Sequence, residues 1–246
     1  VPYELFAAAL QQLVAVDAAW VPRGEDQALY IRPLVFASEG KMGVKVSEEY
    51  LFMVMTAPVS IMYPGSIKVK VERRYIRAAP GGTGAAKCAG NYGGAFYATQ
   101  QAKKEGFDNV LWMDAFEHTW VEESGTMNLL FLLDDKLVTP PLSDTILAGV
   151  TRDTLLVLAK EMGLVVEERK VSIDEILAAI DEGRPVEAFG AGTAAVIAPI
   201  SVIGVDGEVY HLPVYPGSTM FQLKHRLEAI RSGRAEDIYG WNSVFV

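Results

Sequence analysis

The order of strand-like and helix-like segments is the feature that most limits what this chain can fold into. The two kinds of segment are mixed along the chain without a strict strand–helix–strand repeat. We therefore expect an α/β (mixed α+β) core built on a largely antiparallel or mixed sheet. The predicted strands are Ala28–Phe36, Tyr50–Thr56, Ile67–Ile76, Val110–Asp114, Val121–Leu133, and a hairpin of Ala194–Val205 with Glu208–Leu212. The predicted helices are Pro2–Val16, Ala95–Glu105, Thr151–Met162, a helix opened by the capping box Ser172–Glu175, and Phe221–Arg231.

Two features of the first sixty-odd residues bear on domain organisation. Tyr50–Thr56 is a continuous apolar run, which predicts a strand buried on both faces, whereas Pro33 inside the preceding strand favours a sheet edge or a break in the strand. Residues 58–66 carry two prolines and a glycine between strand-like runs, a pattern typical of a connection between domains.

Composition excludes several classes of function. Lys and Arg total 22 and Asp and Glu total 31, so the net charge of −9 disfavours a nucleic-acid binder. The apolar stretches Leu51–Met62 and Ala194–Val205 fall short of the ~18 residues that a membrane helix needs, and no basic block marks a membrane surface. The single cysteine, Cys88, allows no disulfide within the chain, which favours a reducing, cytoplasmic location. Three scattered histidines predict no metal site.

The segment Pro80–Gly94 places Lys87 among small residues, with Tyr92 five positions later. Small residues let a flat ligand approach the backbone, and a desolvated lysine becomes a nucleophilic amine that forms Schiff bases with carbonyl cofactors. The alternative is a flexible surface loop that carries a solvated lysine.

The segment Val121–Asn128 holds Glu122 and Glu123 in a run otherwise shaped like a buried strand. A carboxylate that points into a core must pair with a positive group, and a protonated pyridine nitrogen would be such a partner. Strand alternation means that at most one of the two points inward. The alternative is that either glutamate faces solvent at a strand end.

Three further positions suit anionic groups. Thr151 opens a helix after Gly149, and Thr193 lies in the small-residue turn Gly190–Ala195; either could bind a phosphate, although a threonine at a helix start is usually only a cap. Arg32, next to Tyr30, could bind a substrate carboxylate, or it could be an exposed arginine of an edge strand.

Taken together and in order, these segments resemble the branched-chain amino acid aminotransferases. Those enzymes belong to the fold-type IV group of pyridoxal-phosphate enzymes, with D-amino acid aminotransferases and aminodeoxychorismate lyases. The resemblance extends over nearly the whole chain. It is carried by YIRPLVFASE (Tyr30–Glu39), YIRAAPGGTGAAKCAGNYGG (Tyr75–Gly94), EESGTMNLLF (Glu122–Phe131), TPPLSDTILAGVTRDTLL (Thr139–Leu156) and GAGTAAVIAP (Gly190–Pro199).

The resemblance implies a role for each matching residue. Lys87 is similar to the lysine that binds the cofactor pyridoxal 5'-phosphate (PLP) as a Schiff base and moves the substrate proton. Glu123 resembles the partner of the pyridine nitrogen, and Tyr92 resembles the tyrosine that binds the ring hydroxyl oxygen. The remaining cofactor-binding positions that it implies are Val150 (through its backbone N–H), Thr151, Thr193 and Arg77. The substrate-binding positions that it implies are Tyr30, Arg32, Thr126 and Ala194.

The resemblance also implies an architecture and a reaction. The architecture is a fold-type IV two-domain enzyme with a truncated N-terminal domain: residues 1–57 are its remnant, 58–66 the connection and 67–246 the large PLP-binding domain. The reaction is reversible transfer of the amino group of L-leucine, L-isoleucine or L-valine to 2-oxoglutarate by a homodimer. The alternatives are a D-amino acid aminotransferase or lyase of the same group, and a non-catalytic remnant that binds PLP.

Overall fold

The computed structural model describes residues 1–24, 27–60 and 65–244. The chain divides into two compact units, one of Val1–Met62 with Gly240–Val246 and one of Tyr63–Tyr239. The sequence instead assigned residues 67–246 to a single domain. Within the predicted connection 58–66, residues 61–64 lie outside the described residues.

The first unit consists of one helix and a two-stranded sheet. Helix α1 (Tyr3–Val16) confirms the amphipathic pattern and is followed by a 3₁₀ turn at Ala18–Trp20. Strands β1 (Gln27–Ala37) and β2 (Tyr50–Ser60) pair antiparallel along their whole length. Both strands are sheet edges, which is where the sequence expected Pro33 to lie.

Two expectations about β2 are wrong. The strand is not buried on both faces, because none of its side chains is buried and Tyr50 is 57% exposed. Within this unit, a two-stranded sheet offers too few neighbours to cover two faces. The strand also continues to Ser60 through Pro58, where the sequence placed a connection. A strand with a free edge tolerates a proline because one row of N–H groups is unpaired there.

The second unit is built on a mixed sheet with four helices. Its strands are β3 (Ile67–Glu72), β4 (Asn109–Met113), β5 (Val121–Ser124), β6 (Met127–Leu133), β7 (Lys136–Thr139), β8 (Val165–Glu168), β9 (Val186–Gly192), β10 (Val196–Val205) and β11 (Glu208–His211). Its helices are α2 (Ala89–Lys104), α3 (Val150–Glu161), α4 (Ile173–Asp181) and α5 (Thr219–Arg231).

Six of these strands pair in a closed ring, in the order β3, β4, β5, β6, β9, β10 and back to β3. The pairs of β3 with β4 and of β3 with β10 are parallel, and the other four are antiparallel. Strand β11 pairs with β10, and β7 and β8 continue outward from β6. This arrangement confirms the predicted mixed α/β fold.

Strands β4 and β6 of the ring are apolar on both faces because both faces are covered, whereas β3 alternates buried apolar residues with more exposed charged ones. On β4, Leu111 and Met113 join a core cluster with α4, while Val110 and Trp112 pack against small residues of α2. On β6, Leu130 turns instead toward a third cluster that contains residues of α3 and α5. This packing explains why β4 and β6 have nearly continuous apolar sequences.

Several predicted boundaries are wrong. The segment Val121–Leu133 is two strands, because Gly125 adopts a positive φ of 56° and turns the chain. Strand β3 ends at Glu72 rather than at Ile76, and helix α2 begins six residues before the predicted Ala95. Glycines in the first turns of α2 hid its start, since they lower local helix propensity. Strands β7, β8 and β9 were not predicted.

Local helix-start signals read correctly where the partners are close in sequence. The Ser172 hydroxyl accepts the Glu175 N–H at 3.0 Å, so Ser172 caps α4 as predicted, whereas the Glu175 carboxylate, which would complete the capping box, binds Arg169. The start of α5 depends instead on a distant side chain. Glu187, buried on β9, accepts the N–H groups of Thr219 and Met220, each at 2.9 Å. Within the described ranges, no helix is long and apolar enough to cross a membrane.

Candidate active site

Lys87 lies immediately before helix α2, at the end of a glycine-rich loop. Its Nζ donates a hydrogen bond to the Tyr92 hydroxyl at 3.1 Å and lies 5.3 Å from the centre of that ring. Asn91, in the first turn of α2, donates from Nδ2 to the carbonyls of Thr83 and Ala86 at 2.7 and 2.8 Å. The helix start therefore holds the loop that carries the lysine. Lys87 itself is exposed rather than desolvated as the sequence suggested, and so is open to a ligand.

The same loop packs tightly against residues 144–145. A Cβ added at Gly84 would lie 2.6 Å from the Thr145 Cα and 2.7 Å from the Asp144 carbonyl oxygen, so only glycine fits here. Asp144 accepts the Ala85 N–H at its carbonyl, at 2.7 Å, and the Gly81 N–H at its carboxylate, at 2.9 Å. These contacts fix the loop at both ends.

Glu123 lies on β5 and is nearly inaccessible to solvent. One of its carboxylate oxygens, Oε1, accepts the Leu147 N–H at 2.8 Å and the Asn128 Nδ2 at 3.2 Å. The other, Oε2, lies 3.3 Å from Arg77 Nε, and both side chains are only 4% exposed. Asn128 also donates to the Leu147 carbonyl at 2.8 Å. The carboxylate is thus held from three sides.

Burial is the dominant influence on the pKa of Glu123 and raises it from 4.5 to about 7. The positive charges of Arg77 and Lys87 and the Leu147 N–H act in the opposite direction, and the negative charge of Glu122 adds to the rise. Desolvation therefore outweighs the ion pair. A further cation beside this carboxylate would lower its pKa and hold it ionised.

This raised pKa predicts a pH dependence of stability for the cofactor-free chain. Because the folded state binds the Glu123 proton more tightly than the unfolded state, the stabilisation is complete below pH 4.5 and is lost as the pH rises through 7. We expect this group to lower the free energy of unfolding by about 3 kcal/mol over that interval. Urea unfolding at a series of pH values, for the chain and for Glu123→Gln, measures the difference. Parallel pH profiles of the two proteins would contradict this expectation.

Glu122 is also buried, at 8% exposed, so the expectation that at most one of the two glutamates points inward is wrong. Strand alternation does place the two side chains on opposite faces, but β5 is covered on both. Burial raises the pKa of Glu122 as well.

Arg77, expected to bind the cofactor, is directed at the protein itself. Its Nη2 donates to the Gly84 carbonyl at 3.2 Å and to the Thr145 carbonyl, while its Nε faces Glu123. In this arrangement the guanidinium joins the lysine loop, residue 145 and the buried carboxylate. Its direct contact with a cofactor stays a prediction.

The positions expected to bind phosphate lie at a helix start and a turn. Helix α3 begins at Val150 after Gly149, without a side-chain cap, and Val150 and Thr151 are in its first turn. Thr193 and Ala194 are exposed in the turn between β9 and β10.

Strand register relates this turn to Glu123. Glu123 pairs with Asn128, and Asn128 pairs with Ala191. The turn at Thr193 and the turn that carries Thr126 therefore lie at the same end of the sheet, next to the row of paired residues that contains Glu123. Thr126 is exposed there.

Tyr30 and Arg32, expected to bind substrate, belong to the first unit, on β1. The Arg32 guanidinium lies 4.8 Å from the centre of the Tyr30 ring, a cation–π contact, and Arg32 is exposed. Their substrate-binding role stays a prediction.

Sequence reasoning missed the residues that hold the site together. Asn91, Asn128 and Thr145 each make hydrogen bonds that position Lys87, Glu123 or Arg77. Asn91 and Asn128 lie inside the segments that the sequence analysis singled out, Pro80–Gly94 and Val121–Asn128. An amide side chain among small or apolar residues could have marked each of them as a candidate. Nothing local to Thr145 signals its contacts, because its partners lie far away along the chain.

Comparison with known proteins identifies the family of this chain. The model of the family described as amino-transferase class IV matches residues 1–203. A probable branched-chain-amino-acid aminotransferase of Staphylococcus epidermidis is 46% identical over 237 residues, which cover 94% of this chain and 66% of that protein. A branched-chain-amino-acid aminotransferase of Mycolicibacterium smegmatis is 44% identical over 249 residues, which cover 98% of this chain and 68% of that protein. This chain thus spans about two thirds of the length of these curated relatives.

Solved structures show the same likeness. The branched-chain amino acid aminotransferase of Escherichia coli superposes with a TM-score of 0.78 at 27% identity, over 98% of this chain and 75% of that one. The PLP-bound holo form of the enzyme from Thermobaculum terrenum has a TM-score of 0.73 at 26% identity, over 93% and 70%. Because the family model matches residues 1–203, which is most of this chain, the chain belongs to the class IV aminotransferases.

Proposed function

We propose that this chain carries the PLP site of a branched-chain amino acid aminotransferase. The reaction transfers the amino group of L-leucine, L-isoleucine or L-valine to 2-oxoglutarate, giving the branched 2-oxo acid and L-glutamate. The observation that carries the proposal is the constellation of Lys87, Tyr92 and the buried Glu123 within one unit. The names of the relatives support the choice of substrates.

The chemistry of the site fits PLP. A primary amine suits an aldehyde, and a phenol suits the ring hydroxyl oxygen. Burial raises the pKa of Glu123 despite the nearby Arg77, and a protonated ring nitrogen would add a positive charge that holds this carboxylate ionised. The uncapped start of α3 offers backbone N–H groups to a phosphate.

Each residue then has a definite task. When bound, PLP supplies an aldehyde that condenses with amines and a protonated ring that draws electrons from the substrate Cα. Lys87 Nζ would bind the cofactor, and the freed amine would then take the proton from the substrate Cα and deliver it to C4′ of the cofactor. Tyr92 orients that amine through the 3.1 Å hydrogen bond, and Glu123 holds the ring nitrogen protonated. Val150, Thr151 and Thr193 bind the phosphate.

The proposal also covers how the site selects its substrate. Thr126 and Ala194 line the substrate site, and Tyr30 and Arg32 place the substrate carboxylate. Apolar pockets distinguish one methylene by only about 1–3 kcal/mol, so all three branched-chain substrates are accepted.

We also propose that the protein is a homodimer and cytoplasmic. Exposed apolar side chains on β1 and β2, among them Val35, Leu51 and Met55, support a subunit contact. The lone Cys88 supports a reducing compartment.

The test is the visible absorbance spectrum of the chain with added PLP, recorded with L-leucine, with D-alanine and without substrate. We expect a band of bound cofactor that disappears with L-leucine and persists with D-alanine. Loss of the band with D-alanine alone would favour a D-amino acid aminotransferase. A band that ignores both would favour a non-catalytic protein that binds PLP, and the absence of any band would contradict the proposed cofactor.

A further inference from the structure

One buried titratable group has no part in the proposed reaction. Glu122 precedes Glu123 on β5 and points to the opposite face of that strand. Placing a second carboxyl group in a desolvated position next to the first is costly unless it makes a specific contact. The contacts of Glu122 therefore indicate what the site gains from it.

The contact of Glu122 is with Thr145. The Thr145 hydroxyl donates to Glu122 Oε1 at 2.5 Å, and Ser143 Oγ lies 2.9 Å from the same hydroxyl. The other carboxylate oxygen, Oε2, is buried and has no hydrogen-bond partner in the part of the chain that the structure describes. One oxygen of the Glu122 side chain thus binds the side chain of a single residue outside its own strand.

Thr145 belongs to a segment, Asp144–Gly149, that contacts three parts of the site in the second unit: the lysine loop, Arg77 and Glu123. Asp144 binds the loop that precedes Lys87, and the Thr145 carbonyl accepts from Arg77. Two residues later, the Leu147 N–H donates to Glu123. The segment ends where α3 begins. A shift of the segment would move the support of the lysine, the carboxylate and the phosphate-binding helix start together.

We propose that Glu122 is a positioning residue that sets the Asp144–Gly149 segment through Thr145. By holding Thr145, it keeps the Leu147 N–H on Glu123 and the first turn of α3 in place. The consequence for cofactor binding rests on the proposed function. The consequence for the segment itself does not, because it concerns contacts within the cofactor-free chain.

The test compares Glu122→Ala with Glu122→Gln. Alanine removes the acceptor of the Thr145 hydroxyl, whereas glutamine keeps an acceptor oxygen of the same reach. We expect amide hydrogen exchange at Leu147, measured without cofactor, to become about tenfold faster in the alanine variant and to stay near the original rate in the glutamine variant. The dissociation constant for PLP should rise about tenfold in the alanine variant alone.

Thr145→Val and Thr145→Ser repeat the comparison from the other side of the hydrogen bond. Thr145→Val should reproduce the faster exchange at Leu147 and the weaker PLP binding of Glu122→Ala. Thr145→Ser should show the exchange rate and the PLP affinity of the original chain. This pair decides the question even if Glu122→Ala fails to fold. If the original chain binds no PLP, the proposed function fails, while the exchange measurement still decides the role of Glu122.

Glu187→Ala is the matched control. Glu187 is a buried glutamate that also accepts hydrogen bonds, but it holds the start of α5 and lies at the opposite end of β9 from the Thr193 turn. Its loss should lower stability without changing exchange at Leu147. Equal exchange in Thr145→Val and in the original chain, or equal acceleration in Glu187→Ala, would overturn the proposal.

Discussion

Replacing Lys87 with alanine is expected to abolish transamination, lowering the rate by on the order of 10⁴-fold or more. The variant loses the amine that binds the aldehyde and the base that removes the substrate proton, and no other amine is recorded at the Tyr92 hydroxyl in the described residues. The band of bound cofactor should also be lost, because it requires the Lys87 amine. The measurement is single-turnover absorbance with L-leucine and, for turnover, formation of glutamate from 2-oxoglutarate.

Lys104→Ala is the control for this experiment. Lys104 is an exposed lysine in the last turn of α2, the helix that begins just after Lys87, so its loss removes an equal charge from a neighbouring element. It should leave the spectrum and the rate unchanged. A Lys87→Ala variant that retained turnover within a few-fold of the original chain would show that the proposed catalytic lysine is wrong.

Replacing Glu123 with glutamine is expected to have the second largest effect. The amide keeps the size of the side chain but cannot hold a ring nitrogen protonated, so the electron-withdrawing power of the bound ring falls. We expect kcat to decrease by about 10²–10³-fold, a magnitude typical of removing one preorganised charge interaction. The cofactor band should persist, because Lys87 is intact. Steady-state kinetics with L-leucine, together with the spectrum, separate these two effects.

The stability of the Glu123→Gln variant provides an internal check. Burial raises the pKa of Glu123 to about 7, so the original chain loses stability as this carboxylate ionises, whereas glutamine does not titrate. Any loss of stability in the variant should therefore be largest below pH 4.5 and should shrink by about 3 kcal/mol as the pH rises through 7. Glu187→Gln, at a buried glutamate outside the site, should leave kcat unchanged. Equal kcat values for Glu123→Gln and the original chain would remove Glu123 from the proposed mechanism.

The parts of the fold that sequence predicted are those whose causes are local. The Ser172 cap of α4 and the hairpin around Asp206–Gly207 involve residues within a few positions of each other, and both are present. Lys87 and Glu123 stood out because each breaks the pattern of its own segment, a lysine among small residues and a carboxylate in an apolar run. Their relation to each other was not readable from composition or spacing.

Errors arose where distant neighbours decide the outcome. The apolar run of β2 is typical of a buried strand. The exposure of its side chains depends instead on how many layers of secondary structure pack in the first unit. Strand β9 was missed because it lies between β6 and β10 in the sheet. Its pairing depends on those two strands rather than on a pattern in its own residues. The start of α2 was missed because Asn91, rather than helix propensity, ties that turn to the preceding loop.

The sequence alone determined which residue types this protein brings to its chemistry: one lysine with a tyrosine five positions on, paired glutamates and two turns suited to phosphate. Only the tertiary structure decided how these groups influence each other. Thr145 reaches Glu122 across 23 positions, Leu147 reaches Glu123 across 24, and Arg77 reaches Thr145 across 68. The physical reason is that burial and electrostatic coupling act through space, so the raised pKa of Glu123 belongs to the packed arrangement and to no segment of the chain.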